Sequence, residues 1–176
     1  MLLGYVRVEV DRASDGGTMP RFMSAQNGPT EFLGRVLGVE GIEVNQATIT
    51  GAMPLHIAAH KGHTECLRRL LADARIEVNQ ATITGATPLY IAAQKGHTEC
   101  LQLLLGDARV EVNKAMDDGT MPLFMAAQNG HTECLQLLLE DARVEVNQAT
   151  NTGATPLHIA AHKGHTECLH PLLPHA

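Results

Sequence analysis

The sequence predicts an all-α solenoid, a stack of short helix-turn-helix units with protruding turns between them. Proline sets the step, at Pro20, Pro54, Pro88, Pro122 and Pro156, 34 residues apart each time. Glycine keeps that step at Gly28, Gly62, Gly96, Gly130 and Gly164, and cysteine keeps it at Cys66, Cys100, Cys134 and Cys168. A fixed period of this length marks units too small to bury an apolar face alone, which acquire a core by stacking.

The stretch from Gly85 to Asp118 shows how each element arises. Thr87 offers a cap oxygen and Pro88 a pre-set backbone angle, so a helix is expected over Pro88 to Lys95, ended by Gly96. A second helix is expected from Thr98 to about Gly106, with Glu99 in the first turn where the helix dipole favours an acid. Asp107 to Asp118 reads as extended and turn-like. A tetratricopeptide unit has nearly this period but needs two longer helices and large aromatic signatures. The chain has no Trp, two Tyr and three Phe.

Helix, tight turn, helix and protruding turn are joined by specific residues: Thr-Pro-Leu-His at 155–158, Thr-Pro-Leu-Tyr at 87–90, Gly-His at the helix junctions, and Val-Asn at 44–45, 78–79, 112–113 and 146–147. With these the chain resembles ankyrin repeats over nearly its whole length. The resemblance implies an ankyrin-repeat solenoid of helix-turn-helix units with protruding β-turns. The family's usual unit has about 33 residues. Here one more sits in the Asp-Ala-Arg-Val-Glu-Val loop, which predicts a slightly longer loop on the same fold.

The expected organisation is the tail of a truncated repeat at 1–16, a degenerate repeat at 17–50, full repeats at 51–84, 85–118 and 119–152, and an incomplete repeat at 153–176. Residues 51–67 match 153–169 except at Met53 against Thr155, an offset of 102 residues that points to a duplicated block of three repeats. In the worn repeat Arg21 takes the slot of Leu55, Leu89, Leu123 and Leu157. It fits a polar end cap or decay, and Pro29, Gly34 and Gly38 favour decay by weakening the second helix. In the good repeats Ala58 and Ala59 let neighbouring helices approach, and Leu67, Leu70 and Leu71 form an apolar stripe beside Cys66. Pro171 stands where Leu103 and Leu137 stand earlier, which predicts fraying or a bend from Leu169 onward. Both ends break inside a repeat, as in a piece of a longer array.

Net charge is −6, which argues against non-specific nucleic-acid binding. No apolar run approaches a membrane span, and the opening Met1-Leu2-Leu3-Gly4 is too short for a signal peptide. The cysteines fall one to a repeat. Packed helices lie about 8–10 Å apart, whereas a disulfide needs Cα atoms within roughly 7 Å. Free thiols are therefore expected, which suits a cytoplasmic protein.

His-Thr-Glu-Cys recurs at 63–66, 97–100, 131–134 and 165–168. One reading is a metal-binding protein that uses this His-x-x-Cys array. Zinc needs ligands that converge at about 2.0–2.3 Å on one centre. Equivalent residues spaced along a solenoid form rows and do not converge. The resemblance implies a structural role instead, with the Gly-His ring bonding backbone near the next turn and cysteine replacing a branched aliphatic. It also implies that His56 and His158 fix the first helix with the motif threonine. Threonine and histidine are lost together at Met19 with Phe22 and at Met121 with Phe124, while Met53 beside His56 predicts a weaker cap. No nucleophile or carboxylate is patterned around these rings, so no catalytic residue, metal ligand or cofactor is expected. Asp107, Arg109 and Glu111 read as a solvated loop, and Asn79, Asn113 and Asn147 as partners for turn backbone.

The copies differ most at the turn tips and first-helix ends. The tips read Ile49-Thr50, Ile83-Thr84, Asp117-Asp118 and Asn151-Thr152. The helix ends read His60-Lys61, Gln94-Lys95, Gln128-Asn129 and His162-Lys163. In ankyrin folds these positions line the concave face that grips partners. The expected function is a non-catalytic, monomeric protein-interaction scaffold. Its lysines suit a partner with acidic surface, and no membrane or nucleic-acid partner is expected.

Overall fold

A computed structural model describes residues 43–175. The truncated tail at 1–16 and most of the worn repeat, including Arg21, Pro29, Gly34 and Gly38, lie outside the described residues. Among the described residues eight α-helices occur in pairs: α1 (Pro54–Lys61) with α2 (Thr64–Leu71), α3 (Pro88–Lys95) with α4 (Thr98–Leu105), α5 (Pro122–Asn129) with α6 (Thr132–Glu140), and α7 (Pro156–Lys163) with α8 (Thr166–Leu172). Among the described residues there is no strand. The first helices α1, α3, α5 and α7 pack side by side in one row, and α2, α4, α6 and α8 in a second row behind them. This is the all-α stack that the period predicts.

Each pair is punctuated by local chemistry. Proline starts every first helix, and Thr87 accepts the Tyr90 N–H at 3.2 Å on its hydroxyl. Met53 and Met121 provide no such cap. Gly96 ends α3 in the left-handed region, at φ 72°, and a Cβ there would sit 2.6 Å from the His131 ring. Both facts require glycine. The β-turns stand between pairs: Gly51 N–H donates to the Thr48 carbonyl at 2.9 Å and Thr48 N–H to the Ala52 carbonyl at 2.9 Å. The other three tips repeat these two bonds.

The core is a set of rows. Ala58, Ala59, Ala92, Ala93, Ala126 and Ala127 are fully buried between first helices. Behind them lie Cys66, Leu67 and Leu70 and their equivalents on α4 and α6. Leu71 is only half-buried, on the edge of that stripe. All four thiols are free and buried.

Pro171 does not end α8. The helix continues to Leu172 and then tightens into a 3-10 turn over Leu173–His175. The expected fraying from Leu169 is therefore corrected. The Leu173 N–H still reaches the Leu169 carbonyl, and buried Leu172 anchors the last turn against the stack. Proline there removes one donor near a helix end, where its fixed φ remains compatible with helix.

Candidate interaction face

The tip residues and first-helix ends form two exposed rows. At the outermost tip position stand Ile49, Ile83, Asp117 and Asn151, followed by Thr50, Thr84, Asp118 and Thr152, all exposed. Ile49 is 99% exposed and Ile83 72%. The second row holds His60, Lys61, Lys95, Asn129, His162 and Lys163, also exposed, with Gln94 and Gln128 half-buried between them.

Backbone and hydroxyl bonds fix the tips. Thr48 and Thr50 share a hydroxyl contact at 2.9 Å, and Thr82–Thr84 and Thr150–Thr152 do the same at 3.0 and 2.9 Å. The third tip is built differently. Asp118 accepts from the Thr120 hydroxyl at 2.6 Å and from the Thr120 N–H at 2.9 Å. The hydroxyl first and the N–H second hold its carboxyl below the ordinary carboxylate range. Neighbouring tips are joined by Ile83 N–H to the Thr50 carbonyl and by Asn151 N–H to the Asp118 carbonyl, both at 3.0 Å. The equivalent groups between the second and third tips, Asp117 N–H and the Thr84 carbonyl, are not joined.

The helix-end row is held by histidines from the following unit. His97 Nε2 bonds the His60 carbonyl at 3.0 Å, His131 Nε2 the Gln94 carbonyl at 3.1 Å, and His165 Nε2 the Gln128 carbonyl at 3.0 Å. The ring thus bonds the end of the preceding first helix, not a following turn as the resemblance implied. An Nε2–H donor satisfies an orphan carbonyl at each of those helix ends. Partial burial, and then the charges of Lys95 and Lys61, lower the pKa of His60.

The His-x-x-Cys array does not form a centre. Each cysteine is buried, and burial pushes the Cys66, Cys100 and Cys134 thiols up from their ordinary value. That is the reverse of an activated nucleophile or ligand. Open clefts of about 210 and 300 Å³ bring His97, Glu99 and Cys100, and then His131, Glu133 and Cys134, near one another. In each the imidazole is committed to a backbone carbonyl, while Thr64 contacts Glu99 and Cys100, and Thr98 contacts Glu133 and Cys134. Among the described residues no three His, Cys, Asp or Glu side chains are placed to hold a metal ion.

The cap histidines diverge. Exposed His158 sits with its Nδ1 at 2.8 Å from the Thr155 hydroxyl. His56, 1% exposed, instead accepts the Met53 N–H on Nδ1 at 3.2 Å, and its Nε2 makes no well-formed hydrogen bond. Burial lowers its pKa to about 4, against weaker opposing pulls from the Gln80 and Ala86 backbone.

The charged loops do more than face solvent. Arg109 pairs with Asp107 at 2.6 Å and also donates to the Leu71 carbonyl at 3.0 Å, and Arg143 repeats this with Asp141 at 2.6 Å and the Leu105 carbonyl at 2.8 Å. Each arginine covers the end of the preceding second helix, which lacks a left-handed glycine cap. Asn79 bridges units too, donating to the Arg109 carbonyl at 2.6 Å and accepting the Glu111 N–H at 2.8 Å. The recurring Asp-Ala-Arg spacing was the available signal, but nothing in it names a carbonyl one unit earlier.

The family model described as "Ankyrin repeats (3 copies)" matches residues 22–116 and 108–176. No curated protein matches the chain. Among the described residues no helix is long and apolar enough to cross a membrane.

Proposed function

The chain belongs to the ankyrin-repeat family, and from that premise we propose that it is a non-catalytic scaffold that binds a protein partner across its turn tips and first-helix ends. Ankyrin repeats are in general protein-interaction modules. The observation that carries the choice of face is the contrast between rows. Core rows hold the same Ala, Cys and Leu in every full unit, while the tip row reads Ile, Ile, Asp, Asn on exposed positions. A rigid stack tolerates change where side chains meet only water or a partner. The residues proposed to contact the partner are Ile49, Thr50, His60, Lys61, Ile83, Thr84, Gln94, Lys95, Asp117, Asp118, Gln128, Asn129, Asn151, Thr152, His162 and Lys163.

Lys61, Lys95 and Lys163 favour an acidic patch on that partner. The face carries no Trp, Tyr or Arg, the side chains that dominate hot spots, so modest affinity is expected. A monomer divided into the units read from the sequence belongs to the same proposal, as does a cytoplasmic location, which the free, buried thiols support. Pull-down with Lys61→Glu, Lys95→Glu and Lys163→Glu combined tests the face. Loss of partners at unchanged melting temperature is the expected result, and an unchanged partner set rejects the face.

A further inference from the structure

This inference rests on the interaction face proposed above. We infer that the partner presents an extended, polyproline-type segment with aliphatic side chains at positions i and i+3, docked on Ile49 and Ile83 in that order, and a basic side chain at i+6, at Asp117. The tip row supplies the order. Ile49 and Ile83 are among the described residues' few large apolar side chains left exposed, and they occupy one equivalent position on adjacent tips tied by a backbone bond of 3.0 Å. The same position on the third tip holds exposed Asp117. The first helix that follows that tip, α5, also lacks a helix-end lysine: Asn129 stands there, its amide turned onto the Gln94 carbonyl at 3.2 Å. Apolar, apolar, acidic is therefore the sequence of chemistry along three tips, and charge complementarity calls for a cation at the third.

Spacing selects the conformation. Stacked helices lie about 8–10 Å apart, and tips carried one to a helix pair should repeat at about that step. A polyproline helix rises about 9 Å per three-residue turn, so every third side chain faces the same way at the spacing of the tips. Same-face neighbours on a β-strand recur at only about 6.7 Å. An α-helix could match with every seventh residue, but its peptide groups are bonded internally. A polyproline-type backbone leaves its polar groups free to meet the Thr84 carbonyl and the Asp117 N–H, which are not bonded to each other.

The test is selection from a random-peptide display library on the full chain, followed by binding of selected synthetic peptides. Enrichment of aliphatic residues at i and i+3 with Lys or Arg three positions beyond the pair is expected. Ile49→Ser with Ile83→Ser should weaken those peptides about tenfold or more while leaving the melting temperature unchanged, since both side chains lie in solvent. Asp117→Lys should invert the preference at the charged position from basic to acidic. No enrichment, a seven-residue spacing, or binding indifferent to these variants overturns the inference. Peptides lost on Lys61→Glu with Lys95→Glu, yet unaffected at the isoleucines, overturn it while sparing the wider interaction reading.

Discussion

The pair α5–α6 and the pair α7–α8 follow the same repeat pattern and have opposite surroundings. In α5, Leu123, Phe124 and Ala127 are buried between neighbours on both sides. At the equivalent places in α7, Leu157 is half-buried and His158 and Ala161 are exposed. The Cβ position of Gly130 meets the His165 ring at 2.7 Å, whereas that of Gly164 meets nothing within 4 Å. At these positions burial is conferred by the following unit, not by a residue's own helix. That is how a stack of weak units becomes stable, since each buries its apolar face only against its neighbours.

The sharpest break of this comparison is a matched truncation. Leu123→Ala should cost about 3–4 kcal/mol and Leu157→Ala about 1 kcal/mol, read as denaturant midpoints at fixed slope. Equal losses would mean that α7 is packed by something the comparison omits.

Next in size is a pH effect confined to a covered unit. His56 is buried neutral with its pKa lowered to about 4 from the ordinary 6.5. Between those values the unfolded chain takes up a proton that the folded chain refuses, so stability falls as pH falls from about 6.5 to about 4. The loss should approach about 3 kcal/mol at the lower limit. His56→Phe recreates the Met121–Phe124 arrangement two units on and should remove this part of the pH dependence. Urea melts of both proteins at pH 7 and pH 4.5 measure it, and an unchanged slope in the variant would reject the assignment.

A smaller contrast isolates the histidine ladder. Gly96→Ala and Gly164→Ala both force alanine into the left-handed region, at about 1 kcal/mol. Only the first also displaces a ring, His131 from its bond to Gln94, adding about 1 kcal/mol. Thermal melts should rank Gly96→Ala as the more damaging. Smallest of all, Lys61→Glu with Lys95→Glu should change stability by less than about 1 kcal/mol, because both side chains are exposed.

The helix pairs were legible because their punctuation is local: proline to start, left-handed glycine to stop, and an acid in the next first turn. The rows of Ala, Cys and Leu followed from the period alone. What escaped lies between units. Arg109 read as solvated charge, yet it and its equivalent Arg143 bond carbonyls 38 residues earlier. The Gly-His ring was expected on a following turn and sits on the preceding helix end. Pro171 read as a breaker, but buried Leu172 carries the helix past it. The exposure of the candidate face was readable from variation among copies.

Hydrogen exchange on the chain, free and bound to a partner recovered by pull-down, tests the central claim most directly. Protection gained at the tips around Ile49, Ile83, Asp117 and Asn151 and at the ends of α1, α3, α5 and α7 is the predicted result. Protection confined to the second helices, around Arg68, Gln102 and Gln136, would contradict it.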